Sequence, residues 1–365
     1  MDHAKRHRRS VKGSLDEESD HENYHVIRKI PKLEEIHYSP PIEAFSNSSR
    51  TRRSIRYQPV EEYPEIIYPQ ILLLIDYYIL NKFENDWTEL IVYVLSFWNG
   101  VDMRYRDIIR PRVRLNINGI VIATDPNLLP YLHVGKFGPY AVDIDDALVE
   151  KANWLKDEVL SKHIDYFDAN DTYDVAVTMT QFTLCGAEPD CGVLGLARPN
   201  GACTKYNVAI VKDFGGFGGI MTAAHELGHL FGIHHDGERN RCSDAHDYIM
   251  TTFDKFTPQA FDWSPYSLRY TDQFLKSGRG RCLYNHPFYD KPFQRYLPGK
   301  LMDANRQCKI LRRGYATVID DSICTQLKCN GIYTDVRLPE AAEGTPCGQG
   351  RLCLHGRCDF ESLGV

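Results

Sequence analysis

The chain has 365 residues, of which 43% are hydrophobic and 25% are charged, and its formal net charge at pH 7 is −6. This composition is typical of a folded globular protein, and the acidic balance gives no support for nucleic acid as a partner. The sequence contains no run of about 18 apolar residues, so it predicts no membrane span. A chain of this length exceeds the usual single domain, and we expect one large and one small domain.

The first 53 residues are charged and show no clear periodicity beyond a short predicted strand at residues 25–30, so we interpret them as a propeptide remnant or a disordered arm. Two arginine runs, RHRRS and RTRRS, resemble cleavage sites of furin-like convertases, with a solvated basic run as the alternative. The second run predicts propeptide cleavage between Arg53 and Ser54. The basic N-terminus lacks the apolar stretch of a signal peptide, so we expect either that the signal peptide is missing from this chain or that the chain begins inside a propeptide.

Residues 54–290 are predicted to alternate between strands and helices. The predicted strands are buried apolar runs or alternating segments at residues 71–75, 113–123, 173–180 and 207–211. The predicted helices lie at residues 87–98, 143–163 and 220–231. The segment GVLGLA, residues 192–197, predicts an edge strand along which an extended peptide can lie. This order predicts an α/β fold in which a mixed sheet carries long helices and the functional site lies at a cleft.

The strongest motif is HELGHLFGIHHD, which begins at His225. His225 and His229 are four residues apart, so on a helix both imidazoles face one metal ion. Gly232 permits a sharp turn that brings His235 to the metal as the third ligand, while His234 points away. Three histidines and one open coordination position are typical of a catalytic zinc site, because a structural site fills all four positions with protein ligands.

Glu226 lies between the first two histidines, where it predicts a role as general base. Zinc lowers the pKa of its bound water to about 7, and Glu226 is placed to take the remaining proton as that water attacks a peptide carbonyl. The same carboxyl can then pass its proton to the departing amine. The motif therefore predicts a zinc endopeptidase that forms no covalent intermediate. The competing interpretation is a buried helix with surface histidines.

The eleven cysteines all lie at or after Cys185, and six of them fall between Cys308 and Cys358 in a short, glycine-rich tail. This density predicts an oxidising compartment and a small domain held by disulfides, so we expect a secreted, extracellular protein. The sequons at Asn47 and Asn170 predict glycosylation in such a compartment. A second zinc site in the tail would need CxxC pairs, which are absent from the sequence.

The histidine motif, followed by Met250 in DYIM, is similar to that of the metzincin zinc proteases, in which such a methionine lies in a turn beneath the metal. Without that resemblance, Met250 reads as plain core packing. Asp236, directly after the third histidine, resembles the reprolysin (adamalysin) branch. We therefore expect a zincin-like (metzincin) catalytic domain.

Longer segments resemble the metalloprotease plus disintegrin-like portion of the ADAMTS proteases. These segments are YDVAVTMTQFTLCG, TAAHELGH, WSPYSLRYTDQFLKSGRGRCLYNHP, DANRQC and EGTPCGQGRLCLHGRC, in order over roughly residues 65–360. The resemblance implies a catalytic domain at residues 54–290 and a disintegrin-like cysteine-rich domain at residues 298–365. Arthropod salivary and venom metalloproteases have comparable short architectures.

The resemblance also implies a structural calcium site. The implied ligands are the Asp174 and Asn285 side chains and the Cys282 carbonyl, joined by a carboxylate of Asp165 or Asp168. Gln70 stands where the family usually carries a glutamate ligand, and the lost carboxylate should weaken the site. Read without the resemblance, Asp174 and Asn285 are a turn residue and a capping residue.

The disulfides implied by the resemblance are Cys185–Cys191, Cys203–Cys282, Cys308–Cys329, Cys324–Cys353 and Cys347–Cys358. Cys242 is left over, because its expected partner falls at Tyr266 in WSPYS. An odd cysteine in a secreted protein predicts either a titratable thiol or an intermolecular disulfide.

Two functions compete for this sequence. The first is a secreted zinc-dependent metalloendopeptidase, made as a zymogen, that cuts proteins of the extracellular matrix or plasma. The alternative is an adhesion or receptor-binding protein that uses the disintegrin-like tail and has weak or no protease activity. The intact histidines and Glu226 favour the enzyme. The tail contains no RGD, so the sequence gives no support for integrin binding by that loop.

Overall fold

The computed structural model describes residues 26–29, 58–156, 173–186, 191–238, 240–242, 247–252, 257–286, 295–311, 314–330 and 338–361. The predicted cleavage at Arg53–Ser54 lies outside these residues, as do the sequons at Asn47 and Asn170 and the alternative calcium ligands Asp165 and Asp168. The predicted arm is described only at its short strand, residues 26–29.

The strands of the first region are β1 (Val26–Lys29), β2 (Ile66–Ile67), β3 (Gln70–Ile75), β4 (Arg112–Val113), β5 (Asn116–Ile122), β6 (Lys136–Gly138), β7 (Ala141–Asp143), β8 (Val175–Thr180), β9 (Thr183–Cys185), β10 (Gly195–Ala197) and β11 (Val208–Lys212). Six of them form the central sheet in the order β1-β5-β3-β8-β11-β10. Neighbouring strands are parallel, except that β10 pairs antiparallel with β11 at one edge. The predicted strands at residues 71–75, 173–180 and 207–211 are thus confirmed, as is the edge position of β10. The prediction of one strand at residues 113–123 is wrong, because that segment contains the end of β4, which pairs with β2 in a separate sheet, and then β5.

The helices of the first region are α1 (Tyr77–Lys82), α2 (Trp87–Tyr105), α3 (Ile144–Lys156), α4 (Ile220–Leu230) and α5 (Pro265–Lys276). Ile71, Leu73 and Ile75 of β3 face the core that contains α2 and α4, whereas Leu72 and Leu74 face the core beneath α3. Both faces of the sheet are covered, which is why β3 is an uninterrupted apolar run. The mixed sheet carrying helices is the architecture that the sequence predicts.

The prediction that α2 ends near Trp98 is wrong, because the helix continues to Tyr105. The Asn-Gly pair after Trp98 suggests a turn in the sequence, but Gly100 has a packing role within the helix. A β-carbon built on Gly100 would lie 2.6 Å from Ile220 Cδ1 at the start of α4. Glycine therefore allows α2 and α4 to approach closely, and the helix pays a small propensity cost of about 1 kcal/mol.

The tail contains α6 (Pro298–Leu301), α7 (Ala304–Ile310) and a three-stranded antiparallel sheet of β12 (Pro346–Gly348), β13 (Arg351–Leu354) and β14 (Arg357–Phe360). Its small core includes buried cysteines together with Ile323 and Leu327. The structure forms five disulfides, the same pairs that the resemblance implies: Cys185–Cys191, Cys203–Cys282, Cys308–Cys329, Cys324–Cys353 and Cys347–Cys358. In the described part of the chain, no helix is long and apolar enough to cross a membrane.

Candidate active site

α4 carries the first two motif histidines, and the chain turns back directly after it. Gly232 adopts a φ of +90°, and its N–H donates to the carbonyl of His229 at 2.9 Å. A β-carbon at this position would lie 2.8 Å from Cβ of Phe274. Only glycine combines this left-handed backbone with so close an approach, and the resulting turn returns His235 toward the helix.

The structure brings the three motif histidines together. Nε2 of His235 lies 3.1 Å from Nε2 of His225 and 3.1 Å from Nε2 of His229. The other ring nitrogens face backbone carbonyls: Nδ1 of His225 is 2.8 Å from the Ile249 oxygen, and Nδ1 of His229 is 2.8 Å from the Ile233 oxygen. A carbonyl can only accept, so both Nδ1 atoms carry the proton and both Nε2 lone pairs point toward His235.

This donor set fits a zinc ion. Burial, opposed by the hydrogen bond to Ile249, lowers the pKa of His225 to about 4. Burial and the neighbouring imidazoles lower the pKa of His229 to about 2, so both rings are neutral near pH 7. His235 can donate a proton to only one of these two Nε2 atoms, so at least one Nε2 lone pair is left without a donor. A divalent cation bound among the three Nε2 atoms would satisfy all of these lone pairs.

His234 points away from this cluster, as the spacing predicts. Its ring packs against Tyr270 with centroids 5.3 Å apart. The carbonyls of Ile249 and Ile233, which orient the rings of His225 and His229, were not identified from the sequence. No side-chain signal could have identified them, because any residue supplies the same carbonyl.

Glu226 is buried beside the edge strand β10. Burial raises the pKa of its carboxyl to about 8, and a hydrogen bond from the Ala197 backbone opposes that shift. The second oxygen, Oε2, has no hydrogen-bond partner among the described residues. A carboxyl with a pKa near neutrality and one uncommitted oxygen is suited to accept and return a proton.

Met250 lies beside Gly228, which stands between the two motif histidines of α4 in the sequence. A β-carbon on Gly228 would be 2.9 Å from Sδ of Met250, whose side chain is fully buried. The Met250 carbonyl accepts a hydrogen bond of 2.9 Å from the N–H of Asp236. Oδ1 of Asp236 in turn accepts a 2.6 Å hydrogen bond from Oγ of Ser264. Sequence analysis did not assign this role to Ser264, although a serine before Pro265 is a recognisable helix cap.

One of the implied calcium ligands, Asp174, lies beside the start of β3. The N–H of Gln70 donates to Oδ2 of Asp174 at 2.8 Å, and burial raises the pKa of that carboxyl to about 7. Cys282 lies in a short 3-10 helix, Arg281–Tyr284, and Asn285 directly follows it. The Leu283 carbonyl accepts a 3.2 Å hydrogen bond from Tyr68, two residues before Gln70.

Cys242 is buried and belongs to none of the five disulfides. Its N–H donates to Oδ1 of Asn240 at 2.9 Å. Tyr266, at the position of the expected partner, lies in the first turn of α5.

Comparison with known families agrees with this geometry. Residues 153–287 match the reprolysin (M12B) family of zinc metalloproteases. Residues 298–359 match the ADAMTS cysteine-rich domain 2. The chain therefore combines a reprolysin segment with an ADAMTS cysteine-rich segment, and the resemblance drawn from the sequence is confirmed.

The relatives are themselves ADAMTS or ADAMTS-like proteins. The chain is 36% identical over 324 residues to "A disintegrin and metalloproteinase with thrombospondin motifs like" of Bombyx mori, covering 82% of this chain and 45% of that protein. It is 28% identical over 341 residues to "A disintegrin and metalloproteinase with thrombospondin motifs 16" of Mus musculus, covering 90% of this chain and 26% of that protein. The chain thus spans less than half the length of these relatives.

Proposed function

We propose that this protein is a secreted zinc-dependent metalloendopeptidase that hydrolyses peptide bonds in extracellular matrix or plasma proteins. The observation that carries the proposal is the convergence of three histidine Nε2 atoms beside the buried carboxyl of Glu226. Neutral imidazoles supply the ligands, and the carboxyl supplies the proton acceptor that hydrolysis requires.

His225, His229 and His235 would hold the zinc ion. When bound, zinc supplies a Lewis acid that polarises a peptide carbonyl and acidifies water. Glu226 takes a proton from the attacking water and returns it to the leaving amine, which restores the carboxylate for the next turnover. The uncommitted Oε2 supports this role, because a proton acceptor must be able to reach the water.

The edge strand β10 would bind the substrate in an extended conformation. β10 is the last strand of the sheet, and pairing on its outer side offers main-chain hydrogen bonds to a peptide of many sequences. The Ala197 backbone hydrogen-bonds to Glu226, so a peptide that paired with β10 would run past the proposed base. Main-chain recognition of this kind supports protein substrates as a class.

The remaining sequence-based predictions form part of the same proposal. The catalytic domain at residues 54–290 is zincin-like, with Met250 in the turn beneath the metal, and a disintegrin-like domain occupies residues 298–365. Cleavage after Arg53 releases residues 1–53. Structural calcium binds at Asp174, Cys282 and Asn285. Three disulfides within the short tail support folding in an oxidising, extracellular compartment. The hydrogen bonds that join Asp174 to Gln70 and Leu283 to Tyr68 support the calcium site.

Cleavage of a mixed panel of matrix and plasma proteins by the secreted, zinc-loaded protein tests the proposal. We expect cutting that stops when a chelator removes the metal and returns when zinc is restored. If folded, zinc-loaded and processed protein leaves every panel member intact, the endopeptidase proposal fails. The adhesion function of the tail would then become the leading account.

A further inference from the structure

The turn between β13 and β14 in the tail contacts the segment that follows Met250 in the first region. His355 and Gly356 form this turn, with φ values of +52° and +69°. Nε2 of His355 lies 2.7 Å from Oδ1 of Asp262. A β-carbon on Gly356 would lie 2.7 Å from Cε2 of Phe261. Both turn residues therefore touch neighbouring positions of one segment.

The turn is itself anchored on a buried ion pair. The N–H of His355 is 3.0 Å from both carboxyl oxygens of Glu343, which pairs with the guanidinium of Arg104 on α2. Arg104 and Glu343 are 2% and 3% exposed, so their charges are held in a desolvated, well-defined geometry. The same guanidinium lies 4.2 Å from the ring centroid of Phe261.

Two further hydrogen bonds lead from Asp262 to a proposed zinc ligand. The backbone carbonyl of Asp262 accepts a 3.0 Å hydrogen bond from the N–H of Ile249. The carbonyl of the same Ile249 faces Nδ1 of His225 at 2.8 Å. The next residue, Trp263, fills the space beside Gly228 of α4 and donates its indole N–H to the Arg104 carbonyl at 2.7 Å. The segment thus contacts α4 both by packing and by hydrogen bonds.

We propose that His355 is a positioning residue for the active site: by binding Asp262 it fixes the Ile249 peptide and, through it, the ring of His225. This inference rests on the proposed function, because it treats His225 as a zinc ligand. Partners that orient a ligand histidine typically change metal affinity or activity by about 10–100-fold when they are removed. His355 acts one peptide further out, so we expect effects near the lower end of that range.

The charged groups around the His355 ring provide a matched control. Nε2 faces Asp262 at 2.7 Å, whereas Nδ1 is 3.6 Å from Oδ2 of Asp107, just beyond the end of α2. Both carboxylates contact the same ring, but only Asp262 is joined to Ile249. Replacing Asp107 therefore removes a similar charge from the ring without breaking the route to His225.

The experiment compares His355→Ala, His355→Gln, Asp262→Ala and Asp107→Ala in the full chain. Zinc affinity is measured by competition titration, and the ligand geometry is read from the visible spectrum of the cobalt-substituted protein. We expect His355→Ala to weaken zinc binding about tenfold, to alter the cobalt spectrum and to lower kcat with little change in KM. His355→Gln keeps a donor near the Nε2 position and should therefore recover most of the lost zinc affinity and kcat. Asp107→Ala should have the zinc affinity, cobalt spectrum and kcat of wild type.

Asp262→Ala removes the same hydrogen bond from the other side, and it keeps the test decisive if His355→Ala folds poorly. We expect Asp262→Ala to lose as much zinc affinity as His355→Ala, and the double variant to lose no more than either single variant. Wild-type zinc affinity and an unchanged cobalt spectrum in both single variants would overturn the inference. If the wild-type protein cuts no substrate, the proposed function fails, and the zinc affinities and cobalt spectra still decide the role of His355.

Discussion

Gly195 of β10 lies directly against the side chain of Glu226. A β-carbon built on Gly195 would be 2.8 Å from Cγ and 2.8 Å from Oε1 of Glu226. It would also lie 2.9 Å from Cγ2 of Thr222, one turn earlier in α4. The edge strand and the helix approach this closely only because position 195 has no side chain.

The first prediction is that Gly195→Ala displaces the Glu226 carboxyl and lowers kcat. A positioned general base contributes about 10²–10⁴-fold, so we expect a loss of at least about tenfold on a peptide substrate. Zinc content should stay at the wild-type level, because the three atoms nearest to the added β-carbon belong to Glu226 and Thr222 and not to a histidine. Gly138→Ala is the control, since a β-carbon there meets nothing within 4 Å. Equal kcat values for the two alanine variants would contradict the close contact between β10 and Glu226.

The second prediction concerns the turn at Gly232. An alanine there must adopt a φ of +90° and meet Phe274 at 2.8 Å, which displaces the returning chain that carries His235. We expect Gly232→Ala to weaken zinc binding by more than about tenfold in a competition titration. Gly350→Ala carries a similar backbone strain at φ +66°, but its nearest neighbour, Phe360, is 3.9 Å away. The prediction fails if both variants bind zinc as tightly as wild type.

Features with local signals were predictable from the sequence. The i, i+4 spacing of His225 and His229, the apolar run of β3 and the glycine turn each lie within a dozen residues. Lys151 shows why other features were not. This lysine is completely buried in α3, where its ammonium donates to the carbonyls of Ala176 and Ala209 at 2.9 and 2.7 Å. Helical periodicity normally assigns a lysine to solvent, and only the tertiary fold supplies these acceptors.

The link between the tail and the zinc site illustrates the same limit over a longer range. Asp262 and His355 are 93 residues apart in the sequence, and no motif contains both of them. The contact exists because the β13–β14 turn rests on the Arg104–Glu343 pair, which joins α2 to the tail. No spacing or composition rule relates these four residues before the chain folds.

The third prediction is a pH dependence of stability that arises from Asp76, the buried N-cap of α1. Oδ1 of Asp76 accepts from the Ile79 N–H at 2.8 Å and Oδ2 accepts from the Gln181 N–H at 2.9 Å, yet burial raises the pKa of this carboxyl to about 6. The folded state therefore binds the proton more tightly than the unfolded state. The stability contributed by Asp76 is fully present below the unfolded pKa and is lost as the pH rises through about 6.

Denaturant unfolding of wild type and Asp76→Asn between pH 4 and 7 tests this prediction. The wild-type free energy of unfolding should fall by about 2 kcal/mol more than that of the variant over this range. Asp86→Asn is the control, because Asp86 caps α2 in the same way at an exposed position. If the free energies of unfolding of wild type and Asp76→Asn change in parallel with pH, Asp76 is not the source of the pH dependence.

The fourth prediction tests the proposed calcium site. Calcium prefers oxygen ligands and gains from carboxylate charge, so Gln70→Glu should tighten calcium binding and Asp174→Asn should weaken it, each by about tenfold or more. Calorimetric titration measures the affinities, and the shift of the thermal midpoint gives an independent reading. Magnesium serves as the control cation, because it requires a smaller octahedral site. If millimolar calcium does not shift the midpoint temperature of thermal unfolding of the wild-type protein, the proposed site is wrong.

The most direct test of the central claim is kcat for Glu226→Gln at a zinc content matched to wild type. Glutamine keeps the shape of the side chain and its contact with β10, but it cannot take a proton. If Glu226 is the base beside a zinc ion held by the three histidines, kcat should fall by about 10²–10⁴-fold while one zinc per chain is retained. A variant that carries the same zinc and turns over within about twofold of wild type would contradict this account.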